Sequence, residues 1–392
     1  MLSEIQVAVD VGSTRHRVAI GAPDGKLLAE FDIPHTPAGF GEFFRRIERL
    51  SQQRPVAVAM EGYNGYARPL DRMILGQGFR LYSVNNLKLA RYKEIFPAPA
   101  KTDAIDGRKI LELFRLRDHV PLARDVLQEV APVPPAHEKL KRLTRRRRQL
   151  VNEKVRLLNR LQADLQAVCP GLLQITGQAD NLWFLRFLIC RGEITQLAHL
   201  RNTTLLGLAG VGKTYAAQIR AWQQTAQFGE EVAWVGPMIV ADGRRVLALL
   251  AEIGELDREI AATAEASSFA ATMSSIPGFG ATCKAELAAE IGTLDRFLGE
   301  ASLALYLGMS ALDNSSGKRT GTKAPRQVNT RAKAAMMVAT AHHMASVPRS
   351  RAYYDKKRAA GKTHNQAVRA LGRQLARVIW SLTKHQRHYE IR

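Results

Sequence analysis

Four carboxylates stand at positions where their chemistry could combine. Asp10 and Glu61 each close a short apolar run, and Asp103 and Asp106 follow three residues apart. Four like charges gathered within a few ångströms repel one another, so a fold that collects them needs a divalent cation or shared protons. Two Mg²⁺ ions held by such oxygens can clamp the attacking and the leaving oxygen of a phosphodiester. We therefore predict a two-metal Mg²⁺ site on these four residues, in which Mn²⁺ can substitute.

Hydrophobic periodicity predicts the elements that position these acids. Residues 5–10, 15–22 and 27–33 are β-type runs separated by turn residues, which predicts an antiparallel meander. The remaining predictions are helices over about 38–52, 66–77, 87–95 and 103–117 and strands at 56–60 and 80–84. This order is typical of an α/β ribonuclease H-like fold, in which the ends of the first and fourth strands are adjacent. Asp10 and Glu61 should therefore meet, and two aspartates three apart on a helix share one face.

The chain beyond this region is predicted to be mostly helical. A proline-rich break at residues 132–135 ends the α/β domain. Leucines at seven-residue steps within residues 137–168 predict a long helix or helical hairpin with a coiled-coil-like seam. The predicted division is an α/β domain over 1–130, basic coiled-coil helices over 136–170, a helical linker or insert over 171–270 and a helical C-terminal domain over 271–392.

The net charge of +21 is concentrated in two stretches. Residues 136–160 carry +8 and residues 317–392 carry +16, which leaves −3 for the remainder. A localised basic excess indicates a polyanion partner, because charge that serves solubility is spread over the surface. Neither stretch has an amphipathic helix with a bulky aromatic face, so nucleic acid is favoured over a membrane. No apolar run reaches the roughly 18 residues that span a bilayer, and we expect a cytoplasmic protein.

The densest positive charge is a run of four arginines, Arg145, Arg146, Arg147 and Arg148. Consecutive arginines repel one another unless an anion is near. We therefore favour contact with nucleic-acid phosphates over a basic helix face that is only solvated. Three widely spaced cysteines indicate neither a disulfide framework nor a zinc site.

Two glycine-bracketed turns, at residues 208–212 and 276–280, each lead into an alanine-rich helix. The pattern is typical of a helix-hairpin-helix, whose turn amides can receive a phosphate, and it is equally common in simple connectors. The first turn lies within residues 207–214, GLAGVGKT, which fit the P-loop expression completely. A working P-loop follows a buried strand, and the mixed polar residues 198–206 predict none, so we do not predict nucleotide hydrolysis there.

The segment around Asp10 also permits another interpretation. Val9-Asp10-Val-Gly-Ser-Thr14 is similar to the phosphate loop of actin-like ATPases and sugar kinases, which share the ribonuclease H-like topology. Those proteins need a second Asp-x-Gly loop and a glycine-rich adenosine motif, and the chain has neither. An actin-like ATPase or kinase stays an alternative.

With the four acids in place, the chain resembles the DEDD transposases of bacterial insertion sequences, whose N-terminal domain is like the RuvC Holliday-junction resolvase. The C-terminal third follows the second domain of that family through the blocks 275–280, 289–292, 295–297, 307–308, 315–318, 361–362 and 367–380. The resemblance covers about residues 5–120 and 270–385. The chain departs from the family pattern at Ala311 and Val328, and its central segment is longer than the usual linker.

The resemblance implies a serine nucleophile at Ser316, and Ser315 is the alternative one position away. A serine hydroxyl needs activation at neutral pH, which a carboxylate-bound metal can provide. Family members are thought to form a phosphoserine link to DNA and to bind a structured non-coding guide RNA that pairs with donor and target DNA. The basic residues near Ser316 that we predict to contact phosphate are Lys318, Arg319, Lys323, Arg326 and Arg331.

A transposase that works this way should act as a homodimer or homotetramer on DNA, at the bacterial nucleoid. We expect the acids of one protomer to act with Ser316 of another. Two further classes stay open. A RuvC-like metal-dependent nuclease or resolvase would attack with water and would cut DNA without Ser316. A non-catalytic nucleic-acid scaffold would tolerate replacement of all four acids.

Overall fold

A computed structural model describes residues 4–61, 68–95, 103–120, 126–317, 321–325 and 328–390. The chain forms two compact units, residues 1–132 and residues 133–392. The division lies at the proline-rich segment. Within the described ranges, no helix is long and apolar enough to cross a membrane.

The first unit contains a six-stranded mixed sheet. Its strands are β1 (Ile5–Val11), β2 (Arg15–Gly21), β3 (Leu27–Pro34), β4 (Val56–Glu61), β5 (Arg80–Val84) and β6 (Leu127–Glu129), in the order β3-β2-β1-β4-β5-β6. The first three strands form the predicted antiparallel meander. Strand β4 is parallel to β1 and to β5, and β6 is antiparallel to β5. Strand β6 was not predicted, because three residues are too few to show a hydrophobic period.

Helices cover both faces of this sheet. They are α1 (Pro37–Ser51), α2 (Arg68–Gly76), α3 (Asn86–Ile95) and α4 (Asp103–His119). Side chains alternate along β1, so Val7 and Val9 pack with α1 and α2 whereas Ala8 packs with α3 and α4. The mixed α/β character predicted for this region is confirmed.

The second unit is organised around two helices of 34 residues, α5 (Pro135–Val168) and α9 (Val232–Glu265). Two ion pairs show that they run antiparallel. Arg147 pairs with Asp257 and, further along α5, Arg160 pairs with Asp242, which lies earlier on α9. The predicted long helix with an apolar seam is confirmed, and its packing partner is α9 of the same chain.

The segment between α5 and α9 packs onto both helices. It contains α6 (Leu182–Ile189), α7 (Asn202–Leu206) and α8 (Lys213–Thr225), with 3₁₀ turns at Leu172–Ile175 and Ile194–His199. Phe184 and Phe187 of α6 are fully buried in a core that includes Leu165 of α5 and Ile239 of α9. The central part of the chain therefore has a hydrophobic core of its own.

The remaining elements surround a second core. They are α10 (Ser268–Ser274), α11 (Ala281–Ile291), α12 (Glu300–Tyr306), β7 (Leu312–Asp313), β8 (Thr322–Lys323), α13 (Thr330–Ser346), α14 (Pro348–Ala359) and α15 (His364–His385). Leu140 of α5 and Ile260 of α9 take part in this core, so the helix pair connects the two. The mostly helical character predicted beyond the proline-rich break is confirmed.

A pair of histidines, the buried His16 and the half-buried His35, joins β2 to the segment just before α1 in the first unit. His16 is fully buried, and its Nε2 lies 2.8 Å from Nδ1 of His35. Phe40 stacks on the His16 ring with 6.1 Å between ring centroids. Burial and the nearby His35 lower the pKa of His16 to about 4, so the ring is neutral at pH 7.

We expect the free energy of unfolding to rise with pH between about 4 and 6.5 because of His16. In this window the unfolded chain binds a proton that the folded chain excludes, so the contribution is roughly 1 kcal/mol per pH unit and is constant above the window. Urea denaturation at several pH values should give a shallower pH dependence for His16→Gln. The matched control His119→Gln changes an exposed histidine at the end of α4. Equal pH dependence in the wild type and His16→Gln would contradict the assignment.

Candidate active site

Asp10 and Glu61 lie side by side on the two central parallel strands. The register of β1 and β4 places Asp10 opposite Glu61. Neighbouring strands are about 4.8 Å apart, so the two carboxylate side chains leave the backbone at adjacent points. Both residues are half-buried, and each shares a face with an alanine two positions earlier, Ala8 or Ala59, which packs on the side of α3 and α4. The predicted adjacency of the two acids is present.

The N-terminal part of α4 lies against the same face of the sheet. Gly107 is buried, and a Cβ placed on it would be 3.4 Å from the Cβ of Ala19. Ala19 of β2 is the register partner of Ala8, which is two residues before Asp10. Small side chains on this face allow the helix to approach closely. The backbone of the first turns of α4 is therefore close to the strand segment that carries Asp10.

Asp103 and Asp106 occupy the first turn of this helix. Their side chains lie outside the described part of the structure. Asp10 and Glu61 are thus the two predicted ligands whose side chains are described, and among described side chains no cluster of three or more His, Cys, Asp or Glu is formed. Two adjacent carboxylates on rigid strands fit a divalent cation, because Mg²⁺ binds proteins through a few carboxylate oxygens and keeps several waters.

Arg17 is a site residue that the sequence analysis did not predict. It lies directly opposite Asp10 in the pairing of β1 with β2, where cross-strand Cβ atoms are about 4.5–5.5 Å apart on one face. Its guanidinium lies 3.2 Å from Asp32 Oδ1 and 3.6 Å from Glu30 Oε2. The guanidinium is therefore paired with carboxylates of β3, one strand further from Glu61. Only the strand register reveals it, since Arg17 belongs to no motif.

Glu30 connects Arg17 to α4. Arg108 of that helix donates to both oxygens of Glu30, at 2.7 and 2.8 Å. These hydrogen bonds from Arg108 lower the pKa of Glu30, and they outweigh the opposing effect of burial. Glu30 is therefore ionised at neutral pH, and the ion pair holds the first turns of α4 against β3.

Ser316 lies in the loop that joins β7 to β8. The strands pair with Leu312 opposite Lys323, and the Asn314 amide donates to the Gly321 carbonyl at 2.8 Å. Ser315 and Ser316 are both exposed. Both hydroxyls are thus accessible to a substrate on an exposed hairpin.

The turn and the basic residues around Ser316 are described in part. Gly317 has a φ of 56°, a left-handed conformation that glycine adopts at little cost. Lys323 and Arg331 are exposed. The other residues predicted to contact phosphate here lie outside the described residues; they are Lys318, Arg319 and Arg326.

The four arginines of α5 face carboxylates of the same chain. The ion pairs are Arg145–Glu290 at 2.7 Å, Arg146–Glu252 at 4.0 Å, Arg147–Asp257 at 2.5 Å and Arg148–Glu286 at 2.5 Å. The anions that four consecutive arginines require are therefore carboxylates of the protein itself. Arg146 has the most exposed side chain of the four, at 59%. Contact of the four arginines with nucleic acid stays a prediction.

The Arg145 pair belongs to a buried network that borders the Ser316 hairpin. Glu290, whose side chain is 1% exposed, accepts from Arg145 and, at 2.7 Å, from the side-chain amide of Asn329. Burial opposes ionisation of Glu290, but hydrogen bonds from Arg145 and Asn329 outweigh it, so its pKa lies below the ordinary value. Asn329 also caps α13, and the Tyr306 hydroxyl donates to the Glu290 carbonyl at 2.7 Å. The network thus holds both ends of the segment that contains the hairpin.

The two glycine turns each connect a pair of helices. Residues 207–212 separate α7 from α8, and residues 275–280 separate α10 from α11. Lys213, the lysine of the P-loop expression, is the first residue of α8. The element before this turn is the helix α7, whereas a P-loop follows a strand.

Comparison with known proteins finds two family models that match this chain. A model described as a transposase, of the DEDD IS110 type, matches residues 7–170. A model described as the transposase IS116/IS110/IS902 family matches residues 270–355. The first range contains the four predicted acids, and the second contains Ser316.

Similar full-length proteins come from insertion elements. The IS116 uncharacterized 44.8 kDa protein of Streptomyces clavuligerus is 28% identical over 98% of this chain and 95% of the relative. The IS110 uncharacterized 43.6 kDa protein of Streptomyces coelicolor is 27% identical over the same shares. The IS900 uncharacterized 42 kDa protein of Mycobacterium paratuberculosis is 26% identical over 99% of this chain and 98% of the relative.

We expect Mg²⁺ or Mn²⁺ to raise the melting temperature of the protein. An ion at a hundredfold excess over its Kd stabilises the folded state by about 2.7 kcal/mol, which corresponds to several degrees. Differential scanning calorimetry should show that Asp10→Asn and Glu61→Gln remove this rise. The matched control Asp24→Asn, in the exposed turn before β3, should keep it. An undiminished rise in both site variants would show that the ions bind elsewhere.

Proposed function

The chain belongs to the IS110/IS116/IS902 family of transposases, and on that premise we propose that it cuts and joins DNA through metal-assisted attack by Ser316. The protein is a DNA transposase of an insertion element. The observation that carries the proposal is the in-register pair of Asp10 and Glu61 in one unit, together with an exposed serine hairpin in the other.

We infer that the first unit has a ribonuclease H-like fold of the RuvC type. An antiparallel meander, a helix and then parallel β4 and β5 support this inference, since they give the order β3-β2-β1-β4-β5. The acids follow the same pattern, with one on β1, one on β4 and two at the start of α4. Strand β6 is an antiparallel addition beyond β5.

Asp10 and Glu61 would hold the divalent ions together with Asp103 and Asp106, and we propose Mg²⁺ as the ion. Bound ions would stabilise the charge that develops on the phosphoryl oxygens. The strands hold Asp10 and Glu61 in fixed positions, and bound ions would offset their mutual repulsion.

Ser316 would act as the nucleophile. Its Oγ forms a bond to phosphorus while the bond from phosphorus to the leaving strand breaks, and the leaving oxygen takes a proton as the serine loses one. A hydroxyl of another DNA strand then displaces the serine and restores it. The phosphoserine link keeps the energy of the phosphodiester, so the exchange consumes no ATP.

The active site would be composite, in a homodimer or homotetramer on DNA. The acids and Ser316 belong to different compact units of the chain, on opposite sides of the proline-rich segment. The acids of one protomer can therefore act with Ser316 of another.

We further propose that a structured non-coding RNA guides the choice of DNA at the bacterial nucleoid. The two basic stretches, with charges of +8 and +16, support a protein that reads the backbones of nucleic acids. Sequence choice would then depend on base pairing of the RNA with donor and target DNA.

Ser316→Ala should abolish the covalent protein–DNA adduct that denaturing gel electrophoresis detects with DNA from the element ends. Ser315→Ala is the matched control and should keep the adduct, because it changes the neighbouring exposed hydroxyl and leaves Ser316 in place. Strand cutting by Ser316→Ala without an adduct would instead favour a nuclease that uses water. Transposition by a chain that lacks all four acids would favour a scaffold.

Mixing an Asp10→Ala protomer with a Ser316→Ala protomer should restore part of the activity that each variant lacks alone. If the sites are composite, mixed assemblies contain some sites with both intact partners. Adduct formation in the mixture measures this rescue. A mixture as inactive as its components would argue that each protomer uses its own acids and serine.

A further inference from the structure

A cleft of about 540 Å³ lies beside the hairpin of Ser316 in the second unit. Residues 322–325, on β8 and just after it, line one part of the cleft. Side chains of α14 and α15 and of the turn between them line another part. The cationic residues of the lining are Lys323, Lys357, Lys362, Arg369 and Arg373.

Four of the five cations in this cleft have no neighbouring carboxylate among the described residues. No Asp or Glu is among the lining residues. Arg373 pairs with Glu300 at 3.1 Å, but in the part of the chain that the structure describes the other four cations form no ion pair. The four consecutive arginines of α5, in contrast, all face carboxylates. Cations gathered without partners repel one another, so an anionic ligand would stabilise this arrangement.

The cationic side chains differ in exposure, and this difference indicates which of them form the cleft itself. Lys323 and Lys362 are exposed at its edges, whereas Lys357 and Arg369 are half-buried. Lys357 Nζ lies 5.3 Å from the centre of the Tyr353 ring, which also lines the cleft. The half-buried cations are therefore held by packing on α14 and α15, which favours a defined ligand over diffuse surface charge.

The hairpin sets the distance from the cleft to Ser316. Lys323 in the cleft lining is the register partner of Leu312, and Ser316 is four residues beyond Leu312. Four residues span at most about 14 Å when extended, and the two paired strands are about 5 Å apart, so Lys323 lies within about 19 Å of Ser316. Nucleotides in a strand of duplex DNA advance by about 3.4 Å each along the axis, so a phosphate at the Lys323 edge of the cleft lies within roughly six nucleotides of one at Ser316.

We propose that this cleft binds the backbone of the DNA strand that Ser316 attacks, a few nucleotides from the reacting phosphate. Lys357, Lys362 and Arg369 are the phosphate ligands, and they position the strand without taking part in the chemistry. The proposal rests on the proposed function, because it takes Ser316 as the nucleophile. DNA is favoured over RNA as the ligand because the cleft adjoins the hairpin that carries this serine.

The test compares the salt dependence of DNA binding in the full-length wild type and in the double variant Lys362→Gln/Arg369→Gln. The probe is a fluorescently labelled DNA duplex of mixed sequence, titrated at several salt concentrations. Each lost phosphate contact should reduce the slope of log K against log salt by about 0.9, so the double variant should lose roughly 1.8. Lys384→Gln is the matched control, because it neutralises an exposed lysine on the same helix about 22 Å from Arg369. It should keep the wild-type slope.

The proposal would be overturned if the double variant had the wild-type melting temperature and the wild-type slope of log K against log salt. A slope reduced for an RNA hairpin probe and unchanged for the duplex would overturn it in favour of an RNA site. Ser316→Ala should bind with the wild-type slope, so failure of the nucleophile assignment and failure of the cleft assignment give different results.

A second experiment locates the contact along the DNA strand that forms the adduct. In ethylation interference, ethylated phosphates that the protein must contact prevent binding. The nearest interfering phosphates are expected within roughly six nucleotides of the attachment point, and their interference should disappear in the double variant. Interference that is confined to more distant phosphates would contradict the position assigned to the cleft.

Discussion

The parallel pairing of β1 with β4 is the constraint on which the rest of the first unit depends. It places two carboxylates, Asp10 and Glu61, on adjacent strands in register. Their repulsion opposes this arrangement unless positive charge is near. The two acids fit a divalent ion, which would supply that charge. The alanines on this face have a related role, because they allow α4 to approach the strands that carry the acids.

The second unit uses its charges in two different ways. On α5, the arginines that look most like a nucleic-acid site are paired with carboxylates, and Arg145 with Glu290 forms part of the buried structure. Around the hairpin of Ser316, Arg373 pairs with Glu300, and the other four cations of the cleft form no ion pair among the described residues. The positive charge of the α5 run is therefore partly used for folding. The charge available to a ligand is concentrated near the C-terminal end of the chain.

The two acids and the serine of the candidate site lie in different kinds of structure. Asp10 and Glu61 lie within a sheet covered by helices on both faces. Ser316 lies on an exposed hairpin whose strands have two residues each, and the network around Glu290 holds the segment from both sides. Rigid acids and an accessible serine suit a reaction in which the nucleophile meets a substrate that is held elsewhere.

The sequence by itself determined the local elements and the acids. Every predicted strand and helix of the first unit is present, because period-two and period-3.6 patterns are properties of neighbouring residues. The adjacency of Asp10 and Glu61 followed from the order of these elements, and the exposed position of Ser316 agrees with a polar turn. The family, too, could be identified from short blocks of residues along the chain.

Only the tertiary structure decided the partners of the charged groups. Arg145 and Glu290 are 145 residues apart, and Arg108 and Glu30 are 78 apart, so no local pattern relates them. The position of Arg17 opposite Asp10 required the strand register, and the cleft beside Ser316 required the packing of β8 with α14 and α15. The electrostatic interaction between two charged groups depends on their distance in space and not on their separation in the sequence. Whether an arginine contributes to folding or to ligand binding is therefore decided when the chain folds.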